Sequence, residues 1–328
     1  MIIGVVGNEA CDADSIISAI ALAALRSLQH PENKYLPCVQ MDLAGLGTRF
    51  DFLEIAKISN YAEWDFFSMT DVDADAWILV DHNSPSASMH AKFGEVEIIE
   101  IVDHHAPSNP PTKADLTDIR TVGSCATLVA EKCLAVKEQI PKELLTMLLL
   151  TILLDTSNFS IPRNKTTETD RKVFSSLSER LGLTSTLHLN SLFEQVANAK
   201  CNKAFWFGSA LPTILAHDLK NFPTARGERV GIATILRDIA SLDLREIASF
   251  AASRSFPYFA VIGATAPQRE LLMCVPDANV GILPLLVEKS QLELLRTERT
   301  ATHQLTVFRV GEASFSRKQL APFLQALL

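Results

Sequence analysis

The chain has 328 residues, 48% of them hydrophobic, and a formal charge of −8. That length exceeds one ordinary core and fits two domains, or one large α/β domain with an addition. The composition excludes a disordered chain, and the acidic balance argues against a duplex nucleic-acid partner. The charge is also uneven. Residues 1–164 carry 11 Lys and Arg against 23 Asp and Glu, whereas residues 165–328 carry 19 against 15. A cation-loaded acidic half and a basic half together suit a small or linear polyanion.

In chain order, "IIGVV" reads as a short apolar strand and "DSIISAIALAALRSL" as a helix of small and aliphatic residues. "YLPCVQ" and "RFDFLEIAKIS" repeat that order, and "AWILVD" and "VEIIEIVD" are two further apolar strands. A helix follows in "VGSCATLVAEKCLAV", with Ser124 as the expected N-cap. The next begins at Pro141, a favoured first helical position, and "KELLTMLLLTILLD" is apolar on every side, so it must be enclosed. "SIPRNKTTETDRKVFSSLSERLGL" reads as a polar loop and a helix with Thr, Glu and Asp start signals. The charge balance changes after it, which sets the expected domains at 1–186 and 187–328. Beyond lie the strand candidates "RVGIATIL", "YFAVIGAT", "ELLMCV" and "QLTVFRV". The expected fold is α/β: a mostly parallel sheet with helices on both faces, plus a second, smaller mixed α/β domain.

The N-terminal apolar run has no basic region before it, and Leu144–Leu154 falls far short of the ~20 residues that span a bilayer. Six cysteines form no CxxC pair. A cytoplasmic protein with unpaired buried thiols and no membrane partner is expected.

Chemistry concentrates at the strand ends. Asp12 and Asp14 alone read as helix-start residues, because carboxylates complement the positive end of a helix. The pattern then recurs: Asp81 and His82 end one apolar run, and Asp103, His104 and His105 end another. Neighbouring strand ends converge on one crevice, so three Asp/His clusters there point beyond solvation. Asp155 stands at the negative end of a buried helix, where a carboxylate calls for a cation. Arg163 is one candidate partner; a metal ion shared with the other clusters is the second. Asp12, Asp14, Asp81 and Asp155 would neutralise two divalent ions, and this carboxylate-rich, thiol-free set suits Mg²⁺ or Mn²⁺.

"GNEACDADS", "LVDHN", "IVDHH" and "LLLTILLDTSNF" resemble the four ordered motifs of the DHH phosphoesterase superfamily, with "GSCATLV" matching the helix start after its third motif. "SFSRKQLAP" resembles the Ser-Arg-Lys signature shared by family II inorganic pyrophosphatases, yeast-type exopolyphosphatases and animal prune proteins. "AHDLKNF" followed by "RVGIATI" matches the usual start of that second domain. Family II pyrophosphatases carry histidine at the position of Asn8, and prune-like proteins tend to carry DHR where this chain has DHH, so the resemblance is strongest to the exopolyphosphatases.

The resemblance implies a site in the cleft between two domains, with Asn8, Asp12, Asp81 and Asp155 around one Mg²⁺ or Mn²⁺. Asp14, Asp81, His104 and Asp155 would surround a second ion. Together they would activate a water for attack on phosphorus, so Asp81 and Asp155 count among the catalytic residues. His105 would contact the attacked terminal phosphate, while Asp103 and His82 orient ligands. Arg317, Lys318 and Lys203 would bind phosphates, with Lys200 as the alternative to Lys203. The expected activity is exopolyphosphatase, releasing orthophosphate from the end of inorganic polyphosphate. A pyrophosphatase, a prune-like phosphatase on short polyphosphates or nucleotides, and a non-catalytic scaffold are the rival readings.

Overall fold

The apolar runs that end in chemistry-bearing residues form the middle of a parallel sheet. In the computed structural model the first compact unit spans Met1–Lys200 and the second Cys201–Leu328. The residues described are 1–62, 66–108, 110–137, 139–160, 166–264, 269–290, 292–311 and 316–328, without the side chains of Ala240, Lys289, Ser290 and Lys318.

The first unit's sheet comprises β1 (Ile2–Val6), β2 (Lys34–Val39), β3 (Phe67–Ser68), β4 (Ala76–Val80), β5 (Ile98–Asp103) and β6 (Leu116–Ile119). Their order is β3-β2-β1-β4-β5-β6 and every pairing is parallel. From β1 the chain moves outward through α1 (Ala13–Gln29) to β2 and β3, then returns to lay β4 on the other side of β1. The order reverses between β1 and β4, so the loops after those two strands diverge and leave a crevice at their carboxyl ends.

Side-chain alternation along the strands assigns the two faces. Ile3, Val5, Ile78, Val80 and Val102 point into a core shared with α1, α2 (Phe50–Ile58), α4 (Cys125–Ala135) and α5 (Lys142–Asp155). Val6, Trp77, Leu79 and Ile101 pack on the other face with Met69, Val72 and Met89, the last from α3 (Ala87–Phe93). Both faces are covered, which accounts for strands read as unbroken apolar runs. As expected, α5 is enclosed: its apolar residues from Leu144 to Leu154 are all buried, among α1, α4, α6 (Glu168–Leu181) and α7 (Thr186–Lys200). Each such leucine contributes about 1.5–3 kcal/mol. Pro141 proves to be the N-cap of α5 rather than its first helical residue.

The charge change at 186/187 marks the start of α7, yet that helix packs with the first unit. Leu189 and Val196 enter the first core, Gln195 Nε2 donates to Glu54 Oε1 (3.0 Å), and Lys200 Nζ lies 3.2 Å from Asp51 Oδ2. Surface charge and apolar packing thus divide the chain at different residues, and the contacts place the division after Lys200.

The second unit contains α8 (Lys203–Gly208), α9 (Leu211–His217), β7 (Leu219–Pro223), β8 (Arg229–Ile235), α10 (Leu244–Ser253), β9 (Tyr258–Gly263) and β10 (Arg269–Pro276). It continues with α11 (Ile282–Ser290), β11 (Leu292–Arg299), β12 (His303–Val310) and α12 (Arg317–Leu327). The sheet order is β11-β12-β10-β9-β8-β7, antiparallel except for β8 with β9. The four strand candidates named from sequence are β8, β9, β10 and β12; β7 and β11 are the two edges. All six cysteines are free thiols, five of them buried and Cys201 exposed. Among the described residues no helix is long and apolar enough to cross a membrane.

Candidate metal centre

Three loops meet at the carboxyl ends of β1, β4 and β5. The first runs from Gly7 into α1, which packs so closely that a Cβ on Gly7 would stand 2.7 Å from both Cβ and the carbonyl oxygen of Ser15. Only glycine permits this approach, and the approach positions Ser15: its hydroxyl donates to Asp81 Oδ2 at 2.6 Å. Gly7→Ala is therefore expected to destabilise the protein by about 1–3 kcal/mol. A urea denaturation midpoint identical to wild type would contradict that tight fit.

Asp12 caps α1, accepting from Ser15 N at 3.1 Å. Two residues on, Asp14 is buried and turns its carboxylate to the start of α4. There it accepts from Ser124 Oγ (2.9 Å), Cys125 N (2.8 Å) and Ala126 N (2.8 Å). Ser124 occupies the expected N-cap position, but its hydroxyl serves Asp14 instead of its own helix. A carboxylate there is favoured by the orphan N–H groups and the helix dipole. Even so, burial, reinforced by the charges of Asp155, Asp81 and Asp12, pushes the Asp14 carboxyl well above its usual range, against the opposing Cys125 N–H bond.

Asp81 follows β4 in a left-handed conformation (φ 59°) and is 2% exposed. A non-glycine residue held there costs of order 1 kcal/mol or more and is typical of functional turns. Its Oδ2 is fixed by Ser15 Oγ and by Asn8 Nδ2 at 2.5 Å, which directs Oδ1 to the histidines. His104 Nε2 lies 3.3 Å from Asp81 Oδ1 and 3.9 Å from Asp14 Oδ2. His105 Nδ1 lies 3.6 Å from Asp81 Oδ1 and 2.8 Å from Asp103 Oδ1. One ligand atom from each of Asp81, His104 and His105 lies within 4.8 Å of the other two, near enough to share one ion.

The donor set fits a divalent cation. His104 Nδ1 bonds the Val122 carbonyl at 3.1 Å, so it carries the proton and leaves a lone pair on Nε2 aimed at two carboxylates. An acceptor facing anionic acceptors in a buried site needs a cation or proton between them. Among the described residues no Lys or Arg pairs with Asp14 or with half-buried Asp155, the last residue of α5. Arg163, the candidate partner of Asp155, lies outside the described residues. Oxygen ligands with neutral imidazole suit Mg²⁺ or Mn²⁺.

The structure therefore brings Asn8, Asp12, Asp14, Asp81, His104, His105 and Asp155 together. Asn8 enters differently from the ligand expected of it. Its Oδ1 accepts from Ala10 N at 2.9 Å, so the amide nitrogen faces Asp81 and orients that carboxylate. Asp103 is fully buried and accepts from His104 N, His105 N and His105 Nδ1. Burial would raise its carboxyl, but the hydrogen bond and charge of His105 outweigh burial and hold it below its usual range. His82 turns back instead, with Nδ1 on the Val80 carbonyl.

Sequence reasoning passed over Asn83. Its Nδ2 donates to Asp103 Oδ2 and to the Ala106 carbonyl (2.9 Å), and its Oδ1 accepts from Ser108 N (2.8 Å), which ties the β4 loop to the β5 loop. The available signal was its place in "LVDHN", directly after a strand-end Asp-His pair.

The phosphate-binding candidates Lys203 and Arg317 belong to the second unit. Lys203 is exposed at the first position of α8, and Lys200 is taken by Asp51. Arg317 opens α12, with Nη2 on Asp218 Oδ1 (2.6 Å) and Nη1 on the Asp218 carbonyl (3.0 Å) and the Ile232 carbonyl (3.3 Å). Thus "AHDLKNF" and the Ser-Arg-Lys segment are joined through one guanidinium, with part of its donor fork left over. The Lys318 side chain lies outside the described residues.

Residues 2–152 match the DHH family, N-terminal domain. Over 354 aligned positions the chain is 27% identical to Exopolyphosphatase PRUNE1 of Homo sapiens, covering 99% of this chain and 75% of that protein. The prune proteins thus align along the whole chain, although their third motif had set them apart. The Manganese-dependent inorganic pyrophosphatase of Methanocaldococcus jannaschii is 27% identical over 254 positions, 75% of this chain and 73% of that one. The crystal structure of a Methanococcus jannaschii protein assigned to family II inorganic pyrophosphatases has the same fold, with a TM-score of 0.70 at 22% identity and 98% of each chain covered. Residues 2–152 thus carry the likeness to the DHH family's N-terminal domain, and the chain is similar over most of its length to proteins named as exopolyphosphatases and manganese-dependent inorganic pyrophosphatases.

Proposed function

We propose that the protein is a divalent-cation-dependent phosphoanhydride hydrolase whose substrate is inorganic polyphosphate, shortened from its end with release of orthophosphate. The observation that carries this reading is the meeting of Asp81 Oδ1, His104 Nε2 and His105 in one buried crevice. Asp14, Asp81, His104, Asp155 and Asp12 would hold two Mg²⁺ or Mn²⁺ ions, with Asn8 orienting Asp81. Bound divalent cations lower the pKa of water towards neutrality and offset the charge of phosphoryl oxygens.

The chain's own groups divide the remaining work. His105 is half-buried and held through Nδ1 by Asp103, whose negative charge favours an imidazolium. In that form Nε2 donates to an oxygen of the terminal phosphate as charge develops in the transition state. Asn83 and Asp103 keep the ring oriented from below. Arg317, Lys318 and Lys203 contribute phosphate contacts, Arg317 through the donors that Asp218 and Ile232 leave unused.

Pyrophosphatase activity is the second reading, supported by the alignment with a manganese-dependent inorganic pyrophosphatase. Orthophosphate release with Mn²⁺ or Mg²⁺ from pyrophosphate, triphosphate and long-chain polyphosphate decides between them. Faster turnover of the longer chains is expected. Preference for pyrophosphate would replace the substrate, and hydrolysis of none would leave a non-catalytic scaffold.

A further inference from the structure

Asp170 is a fully buried carboxylate on α6, 47 residues from the turn it grips. With the N-cap Thr167 it forms a capping box: Asp170 N donates to Thr167 Oγ1 (3.3 Å), and Asp170 Oδ2 accepts from Thr167 N (2.7 Å). Capping alone does not require burial, since such boxes form at exposed helix starts. Here the carboxylate also reaches out of its helix. Both oxygens accept from Gly123 N (3.0 and 2.9 Å), and Oδ1 accepts from Thr127 Oγ1 at 2.6 Å. Among the described residues no cation pairs with it. Taking an unpaired carboxylate out of water is costly unless several donors replace the solvent, and Gly123, Thr127 and Thr167 are those donors.

Gly123 sits between two groups that face the metal centre. On one side the Val122 carbonyl holds His104 Nδ1, which sets the tautomer and aim of the ring. On the other, Ser124 Oγ, Cys125 N and Ala126 N hold Asp14. Fixing the Gly123 amide therefore fixes both the acceptor behind His104 and the donors behind Asp14. Asp170 touches neither side chain.

We propose that Asp170 is a positioning residue for the metal centre, acting on His104 and Asp14 through the 122–126 turn; this rests on the reading of that centre as a divalent-cation site. Outer groups of this kind typically change metal affinity by 10–100-fold. In Asp170→Asn the amide must turn a donor towards Gly123 N, Thr127 Oγ1 or Thr167, so at least one bond becomes a donor facing a donor.

The test is Mn²⁺ affinity of the full chain by titration calorimetry without substrate, beside melting midpoints in EDTA. Wild type binds Mn²⁺. Asp170→Asn, folded by circular dichroism, binds about 10–100-fold more weakly. Thr127→Val, which removes one bond to the carboxylate and keeps the volume, weakens binding by a few-fold and serves if Asp170→Asn does not fold. Thr167→Ala, which breaks the cap but keeps the Gly123 and Thr127 bonds, lowers the midpoint and leaves Mn²⁺ affinity within twofold. Unchanged affinity in folded Asp170→Asn and Thr127→Val overturns the proposal alone. So does equal weakening in Thr167→Ala, because affinity would then follow stability. A wild type that binds no Mn²⁺ overturns the reading of the site, and the positioning role with it.

Discussion

Asp81→Ala is expected to lower Mn²⁺-supported orthophosphate release by on the order of a thousandfold or more, without unfolding the protein. Four residues of the site refer to this side chain: Asn8 and Ser15 hold Oδ2, and His104 and His105 flank Oδ1. The variant would remove the carboxylate oxygen nearest His104 Nε2, which is also the one that both rings share. The milder Asp81→Asn gives opposite signs in two assays. In EDTA it raises the melting midpoint, because the charge of Asp81 is one cause of the unfavourable ionisation of Asp14. One kcal/mol of relief moves the midpoint by about 2–4 °C in a unit of this size. With saturating Mn²⁺ the order reverses, because wild type gains binding energy that the variant lacks. Activity within tenfold of wild type in either variant would remove Asp81 from the centre of the mechanism.

Mn²⁺ binding is expected to release protons, more of them as the pH falls, detectable as a binding heat that changes with the ionisation enthalpy of the buffer. The source is Asp14, whose carboxyl is held well above its ordinary 3.8 by burial and by Asp155, Asp81 and Asp12. A raised acid binds its proton more tightly in the folded chain than in the unfolded one. Its contribution is fully favourable below the unfolded pKa and is lost as pH rises from about 4 through the folded value. Cation-free protein should therefore lose stability over that interval, and Mn²⁺ should flatten the loss by taking the proton's place. Asp103 acts the other way: its lowered carboxyl adds stability above the ordinary carboxylate pKa that is lost in acid as its salt-bridge partner His105 is left alone. Buffer-independent heats would show that the site binds its cation without displacing a proton.

What was legible in the sequence was what repeats locally. The middle strands are short apolar runs buried on both faces, and two of them, β4 and β5, run directly into Asp81 and Asp103, so strand and site residue announce each other there. The edges carry no such mark. β11, "LELLRTER", exposes Leu294 and alternates poorly because one side meets solvent, and the two-residue β3 is too short to show any period. In the site, residue identity was readable but the direction of a side chain was not. Asn8 looks the same in sequence whether oxygen or nitrogen faces Asp81, and only the Ala10 N–H decides. Asn83 and Asp170 act across loops and helices, over separations at which periodicity carries no information.

The central place of β1 has a kinetic consequence. Its second neighbour, β4, begins 70 residues after β1 ends, and Asp14 meets Cys125 across 111 positions. Each of these closures spends chain entropy before any contact rewards it, so the sheet must zip across its middle before the crevice exists. A cation added during refolding therefore finds no assembled ligand set in early states. It should slow unfolding while leaving the folding limb almost unchanged, as expected of an interaction absent from the transition state.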